Sequence, residues 1–396
     1  MAVCLGIGQV RRGAAREDPL PAGVSPRDYE LARESFEAKY GRKAERIDVV
    51  SWLAEWYLFR ERLTEAVECF KAIPTSHPQY GRMARYQQGR TLLSLHRAVE
   101  AEQQFQELIR LEEASATIKP EYLIDARQRL RHILETELRF EERQQLLRGV
   151  IARGEADNFE LMAYCFPTLL RWNGPGAMQW FDQFRKMSPD DRLLRIAHGR
   201  YLTGQGELDE ARKVIEDVLR EWPDDLSALA SLLACLREAD DVDELSRRMA
   251  TLPVQSAQDP WLLLVQRGQY ANQNGQPEVA SSAFTQLLSQ DRTCTEAWAG
   301  LAQAALLLND VSKQNQALKM AAGLSRIQNR LGKITRSPDQ PDSFLDVAEL
   351  CAELALNREG RLFTGYARQL SPKNPRVLTV IKMLQSGSTD TEEMPP

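Results

Sequence analysis

Side chains able to carry out chemistry are few and widely separated in this chain. Histidine is the usual general base at neutral pH, and it occurs four times, at His77, His96, His132 and His198, with each copy far from the others in sequence. His198 stands beside Gly199, where a packed, hydrogen-bonded role is expected of it rather than a catalytic one. Six cysteines (Cys4, Cys69, Cys165, Cys235, Cys294 and Cys351) form no C-x-x-C pair and no cluster, so their spacing encodes neither a zinc site nor a disulfide framework. They are expected to be free, mostly buried thiols. Paired carboxylates at Asp190-Asp191, Asp224-Asp225 and Asp240-Asp241 read as helix N-caps and first-turn acids facing the helix dipole. The chain contains no G-x-S-x-G, G-x-x-x-x-G-K-[ST], H-E-x-x-H or C-x-x-C-H. Gly6-Ile7-Gly8 lacks both a preceding strand and the third glycine of a dinucleotide loop. No catalytic residue, cofactor or metal follows from these residues, and a non-enzymatic role is expected.

The elements that would position any site are bounded first by composition. The 396 residues carry 51 Lys+Arg against 56 Asp+Glu, a net charge of −5, which lacks the footprint of a nucleic-acid binder. No nucleic-acid partner is expected. With 43% hydrophobic residues, 22 Gly and 19 Pro, the body falls in the ordinary globular range. The apolar run from Met1 to Val10 is about half the length needed to cross a bilayer, and its charges, Arg11 and Arg12, follow it. Residues 1–25 therefore read as disordered or as the remnant of a signal or anchor segment that starts upstream of Met1. The first reading places the chain in the cytoplasm, which is preferred, and the second at the cell envelope. Residues 386–396, SGSTDTEEMPP, read as a disordered acidic tail.

A period close to 34 runs along most of the chain. Leu53, Ala54 and Tyr57 stand on one helical pattern, and Ala66, Phe70 and Pro78 on the next. Gly89, Ala101 and Phe105 repeat Ala54, Ala66 and Phe70 35 residues later, and Gly199, Gly206, Ala211 and Pro223 carry the same signature. Units begin near Ile47, Arg82, Ile124, Asn158, Arg192, Leu226, Trp261, Thr295 and Pro341, and six of the eight steps lie within one residue of 34. The fourth unit keeps Ala177, Phe181 and Pro189, whereas Arg143 and Gly360 replace the expected alanine in the third and ninth. The pattern resembles the tetratricopeptide repeat. That resemblance implies an all-α, right-handed solenoid of stacked antiparallel helix pairs over residues 47–374, because a 34-residue unit is too small to bury an apolar face without neighbours. An N-terminal capping helix is expected within 26–46 and a C-terminal one at 375–385, with Leu378 and Ile381 inward and Lys382 outward. The seven tryptophans are expected at core or seam positions.

The resemblance also implies where a ligand would sit. In tetratricopeptide proteins the first (A) helix of each pair lines a concave groove, and the matching positions here are Tyr86, Arg90, Ile196, Arg200, Val265, Gln269, Asn272, Gln273 and Gln303. The two-carboxylate clamp of some members is not expected, since Ser51/Glu55 and Tyr86/Arg90 occupy its positions. The implied function is a protein-interaction scaffold that holds a peptide or helix of a partner. A second feature is the stretch from Val311 to Arg336, which has six basic residues, Lys313, Lys319, Arg326, Arg330, Lys333 and Arg336, and no acid. Met320, Leu324, Ile327, Leu331 and Ile334 give it one buried helical face. Two readings remain open for its basic face: a lengthened B helix bridging two units, or a contact for an anionic partner or membrane in an envelope-associated assembly.

Overall fold

The heptad-like spacing of apolar residues produces helices throughout. In LDEARKVIEDVLRE (208–221), Ala211, Ile215, Val218 and Leu219 are buried at i, i+4, i+7 and i+8, acids open the helix and Arg220 stands in its last turn. The computed structural model describes residues 19–113, 120–137, 139–168, 185–186 and 189–386, and among these there are nineteen helices and no strand. The paired acids act as caps. Asp191, Asp225 and Asp241 accept the N–H groups of Leu194, Ala228 and Glu244 at 2.9, 2.8 and 3.2 Å.

The chain divides into two compact units between Leu130 and Arg131. The first contains α1 (Pro26–Tyr40), α2 (Arg46–Phe59), α3 (Leu63–Lys71), α4 (Gly81–Ser94), α5 (Ala98–Glu113) and the start of α6 (Pro120–Thr136). Its core joins Ala32 of α1 to Leu53 and Tyr57 of α2 and Phe70 of α3. Arg85 of α4 reaches back to the end of α3, donating to the Phe70 and Ile73 carbonyls at 2.7 Å each. Asp48 of α2 is held by Arg42 at 2.6 and 2.8 Å and by the Tyr80 hydroxyl at 2.7 Å. The Arg42 hydrogen bonds, outweighing burial, hold its carboxyl down at about 2.

The second unit contains the end of α6, α7 (Phe140–Ala152) and α8 (Asn158–Cys165), followed by five helix pairs. These pairs are α9 (Arg192–Gln205) with α10 (Leu208–Glu221), α11 (Leu226–Glu238) with α12 (Val242–Ala250), and α13 (Trp261–Gln273) with α14 (Pro277–Gln290). The last two are α15 (Thr295–Leu307) with α16 (Val311–Arg336) and α17 (Pro341–Glu353) with α18 (Asn357–Leu370), and α19 (Pro375–Ser386) follows. Each A helix packs on its own B helix, and the A helices α9, α11, α13 and α15 also pack side by side in sequence. Seven of the turns between A and B helices contain a residue in the left-handed region: Glu61, His96, Gly206, Asp240, Gly275, Asn309 and Ala355, with φ between 55° and 81°.

Close approach of helices is set by glycine. A Cβ on Gly268 would stand 2.5 Å from the Phe284 ring, and one on Gly300 of the following pair 2.2 Å from the same ring, so Phe284 is clasped between two A helices. Gly199 meets Ile215 and Gly89 meets Phe105 in the same way. Of the fourth-unit signature, Ala177 and Phe181 lie outside the described residues. The end helix α19 corrects one sequence expectation: Val377, Val380 and Leu384 face the core and Leu378 is exposed. The inward stripe runs i, i+3, i+7, which turns the neighbouring Leu378 to solvent.

One contact breaks the nearest-neighbour order of a solenoid. Helix α8 packs against α16 and α18, and Leu161, Met162, Cys165 and Phe166 belong to one apolar cluster with Phe344, Cys351 and Phe363. Phe166 lies 5.7 Å from Phe363 and Phe140 lies 6.0 Å from Trp261, measured between ring centroids. Arg358 sits 4.7 Å over the Tyr164 ring, and the Thr168 hydroxyl reaches the Thr293 carbonyl at 3.5 Å. Arg143, only 1% exposed, is 3.6 Å from Glu135. Burial pushes the Arg143 guanidinium down and the Glu135 carboxyl up, each partly offset by the other's charge.

Candidate partner-binding face

The A helices of the second unit put α9, α11, α13 and α15 in one row, so the side chains predicted to contact a partner can be followed along it. Arg200 of α9 is half-buried and donates to the Ser231 hydroxyl of α11 at 2.7 Å and to the Ser227 carbonyl at 3.3 Å. Asn272 of α13 is buried and donates to the Gly300 carbonyl of α15 at 2.9 Å. Gln273 and Gln303 are exposed, and Gln269 is half-buried with its Oε1 turned inward, without a hydrogen-bond partner.

Ile196 and Val265, expected on the groove, lie instead inside the stack at 3% and 5% exposure, each in an apolar core cluster. The physical reason is the side-by-side packing of A helices, which uses part of the face assigned to a ligand. In the first unit Tyr86 is buried and stacked on Tyr122 with centroids 4.6 Å apart. Burial and the hydrogen bond to Asp125 push its hydroxyl pKa up. Arg90 is exposed, 5.5 Å over the Tyr86 ring. The sequence reading thus named two kinds of residue together: exposed amides and Arg90, and side chains that join one A helix to the next. The serines that receive Arg200, Ser227 and Ser231, went unnamed, and only their 27- and 31-residue offsets from Arg200 could have signalled them.

The basic stretch forms the 26-residue helix α16, and Met320, Leu324, Ile327, Leu331 and Ile334 are all buried. Its arginines face the acids of α17: Arg326 is 3.0 Å from Glu353 and Arg330 is 3.5 Å from Asp346. Between these helices lies an open cavity of about 480 Å³, lined by Arg326, Arg330 and Lys333 on one side and Asp346, Glu349 and Glu353 on the other. Opposite charges there balance. Lys313, Lys319 and Lys333 are exposed.

Among the described residues, groups able to do chemistry do not converge. His77 accepts the Tyr80 N–H at 3.2 Å through Nδ1, His96 occupies a turn, and His198 is buried beside Gly199. Cys69, Cys165, Cys235, Cys294 and Cys351 are buried and form no disulfide, and Cys4 lies outside the described residues. Burial raises the Cys165 and Cys351 thiols well above their ordinary range. Among the described residues no group of three His, Cys, Asp or Glu could hold a metal ion, and no helix is long and apolar enough to cross a membrane.

The family model of the tetratricopeptide repeat matches residues 196–244 and 265–326, which contain α11 and α15 whole and most of α9 and α13. No curated protein matches the sequence. Among solved structures, a tetratricopeptide repeat protein from Parabacteroides merdae is 14% identical, covering 70% of this chain and 99% of its own, with a TM-score of 0.33. The Cut9–Hcn1 assembly of the APC/C is 13% identical, covering 90% and 81%, with a TM-score of 0.35. The human IFIT1 dimer with m7Gppp-AAAA is 12% identical, covering 92% and 95%, with a TM-score of 0.37. The family match, and the all-helical pairs in which it falls, identify residues 196–244 and 265–326 as tetratricopeptide repeats.

Proposed function

We infer that the chain is a non-catalytic scaffold that holds an extended peptide or a helix of a protein partner on the A-helix face of its second unit. Tetratricopeptide repeats are in general protein-interaction scaffolds, and the finer reading rests on one observation. Helices α13 and α15 offer the exposed amides of Gln273 and Gln303 beside the half-buried Gln269, a mixed donor and acceptor row suited to a peptide main chain. Arg200 and Asn272 tie neighbouring A helices together and so hold the spacing of that row. Arg326 and Arg330 are engaged by α17, which supports the reading of α16 as a lengthened bridge between pairs.

The test is photo-crosslinking in the native cell with a benzophenone amino acid placed at Gln273, at Gln303, or at the exposed Lys213 on the B helix α10. Capture of the same protein from the first two positions and not from Lys213 is the expected result. Equal capture from Lys213, or none from α13 and α15, refutes the face.

A further inference from the structure

Exposed apolar side chains gather at one turn of the second unit. Around the α15–α16 turn, Leu306, Leu307, Leu308, Val311 and Leu318 are each between 38% and 64% exposed. The left-handed residue Asn309 stands at the apex, so the leucines before it and the valine after it form a projecting tip. In the three preceding pairs the two residues before the left-handed one are Gly204-Gln205, Glu238-Ala239 and Gln273-Asn274. The turn itself therefore does not require leucines. An apolar patch left open on a folded chain marks a contact surface.

The free charge beside the tip has one sign. Lys313 and Lys319 are exposed, and neither joins an ion pair among the described residues, in contrast to Arg326 and Arg330 farther along α16, which α17 engages. Asp310 is the only acid between Glu296 and Asp339, and its carboxylate is turned to the start of α16, where it accepts the Lys313 N–H at 2.9 Å. Val311 and Leu318 lie seven residues apart, hence on one stripe of α16 about 10 Å long, away from the buried Met320, Leu324 and Ile327.

Composition and charge together select the partner. The cores of protein–protein contacts are rich in Tyr, Trp, Met and Arg and poor in Lys, and their strongest positions seldom use Leu or Val. This patch contains only Leu and Val, and lysines flank it. An apolar projection of about 5–10 Å with lysines at its margin suits the headgroup region of an anionic bilayer, where lysine stems lie along the apolar layer and their ammonium groups meet the phosphates. We propose that the α15–α16 tip is a peripheral membrane contact that inserts Leu307, Leu308 and Val311 into an anionic lipid surface and sets Lys313 and Lys319 on its headgroups. Two pairs away the α11–α12 turn bears Asp240, Asp241 and Asp243, which such a surface repels, so the contact is confined to this tip. The reading of Gln273 and Gln303 as a peptide-binding row does not depend on it.

The test is co-sedimentation of the full chain with phosphatidylcholine vesicles containing about one quarter phosphatidylserine. Binding to these vesicles is expected, about tenfold or more tighter than to phosphatidylcholine alone, and it should weaken as salt screens the lysines. Lys313→Gln with Lys319→Gln should weaken it about 20-fold, at about fivefold per lysine. Leu307→Gln with Val311→Gln should weaken it by about tenfold or more. Val242→Gln, at a similarly exposed valine in the same place on the α11–α12 turn, should change nothing. All five side chains are exposed, so the helix content and melting curve of each variant should match those of the parent chain. No binding to the mixed vesicles overturns the proposal, and so does binding that survives Leu307→Gln with Val311→Gln. Sedimentation equilibrium decides the competing occupant. Self-association that the same double substitution abolishes, without vesicle binding, assigns the patch to a second copy of the chain and refutes the membrane contact.

Discussion

Gly300→Ala tests whether the spacing of the stack is set by the clasp on Phe284. The added Cβ would stand 2.2 Å from the ring, well inside the 3.5–4.0 Å at which carbon atoms rest. The ring has nowhere to retreat, because the Cβ position of Gly268 is 2.5 Å from it on the other side. Overpacking of this kind costs about 3 kcal/mol, and replacing a mid-helix glycine by alanine returns about 1 kcal/mol, so a net loss of about 2 kcal/mol is expected. Phe284→Ala alone should cost about 3–5 kcal/mol through the cavity it leaves. In that background Gly300→Ala meets open space and should stabilise by about 1 kcal/mol, a coupling of about 3 kcal/mol between the two sites. Repeat stacks unfold piecemeal, so the measurement is hydrogen exchange of the slowest amides of α14 and α15 in all four variants. A cost for Gly300→Ala that persists without the ring, or no cost with it, refutes the reasoning.

Three further outcomes follow from ionic and polar contacts. The Asp48 carboxyl is held near 2, below its ordinary value, so the stability it contributes is fully present above about pH 4 and is lost as pH falls towards 2. This amounts to about 1–2 kcal/mol after solvent screening of the half-exposed Arg42. Acid titration of the stability of the first unit should show that slope, and Asp48→Asn should flatten it. Arg143→Ala removes the more deeply buried of the two cations near Glu135 and should cost about 3 kcal/mol in a urea titration, whereas Arg143→Met with Glu135→Gln should recover most of the loss. Arg85→Met forfeits two hydrogen bonds to the end of α3 and should lower the urea midpoint of the first unit by the equivalent of about 2–3 kcal/mol.

The repeat was legible because stacking forces it: Gly199, Gly268, Ala211 and Ala280 must be small wherever one helix crosses another, and that need recurs at every pair. The caps at Asp191, Asp225 and Asp241 were legible for a local reason, since a carboxylate before an apolar run satisfies N–H groups three residues on. The candidate face was legible only in part. Whether position 196 or 265 meets a ligand or a neighbouring helix depends on how closely successive A helices approach, a quantity without a local signature. The encounter of Phe166 with Phe363 spans 197 residues and leaves no periodic trace. Leu378 was misplaced because a short terminal helix with Val377, Leu378, Val380 and Ile381 permits two inward faces, and packing on α17 and α18 selects one.

The left-handed turns between A and B helices give the stack a set of independent stability dials. Five of the seven are occupied by residues with a Cβ, namely Glu61, His96, Asp240, Asn309 and Ala355, and a left-handed L-residue costs about 1–2 kcal/mol. Asn309 and Asp240 tolerate that conformation through their short polar side chains, but Ala355 has no such compensation. Glycine at Glu61, His96 and Ala355 would therefore raise the melting temperature without touching a helix face. Each of these residues sits in the turn of a different helix pair, so their gains should add, and the thermal tolerance of the scaffold can be adjusted one joint at a time while its surfaces stay as they are.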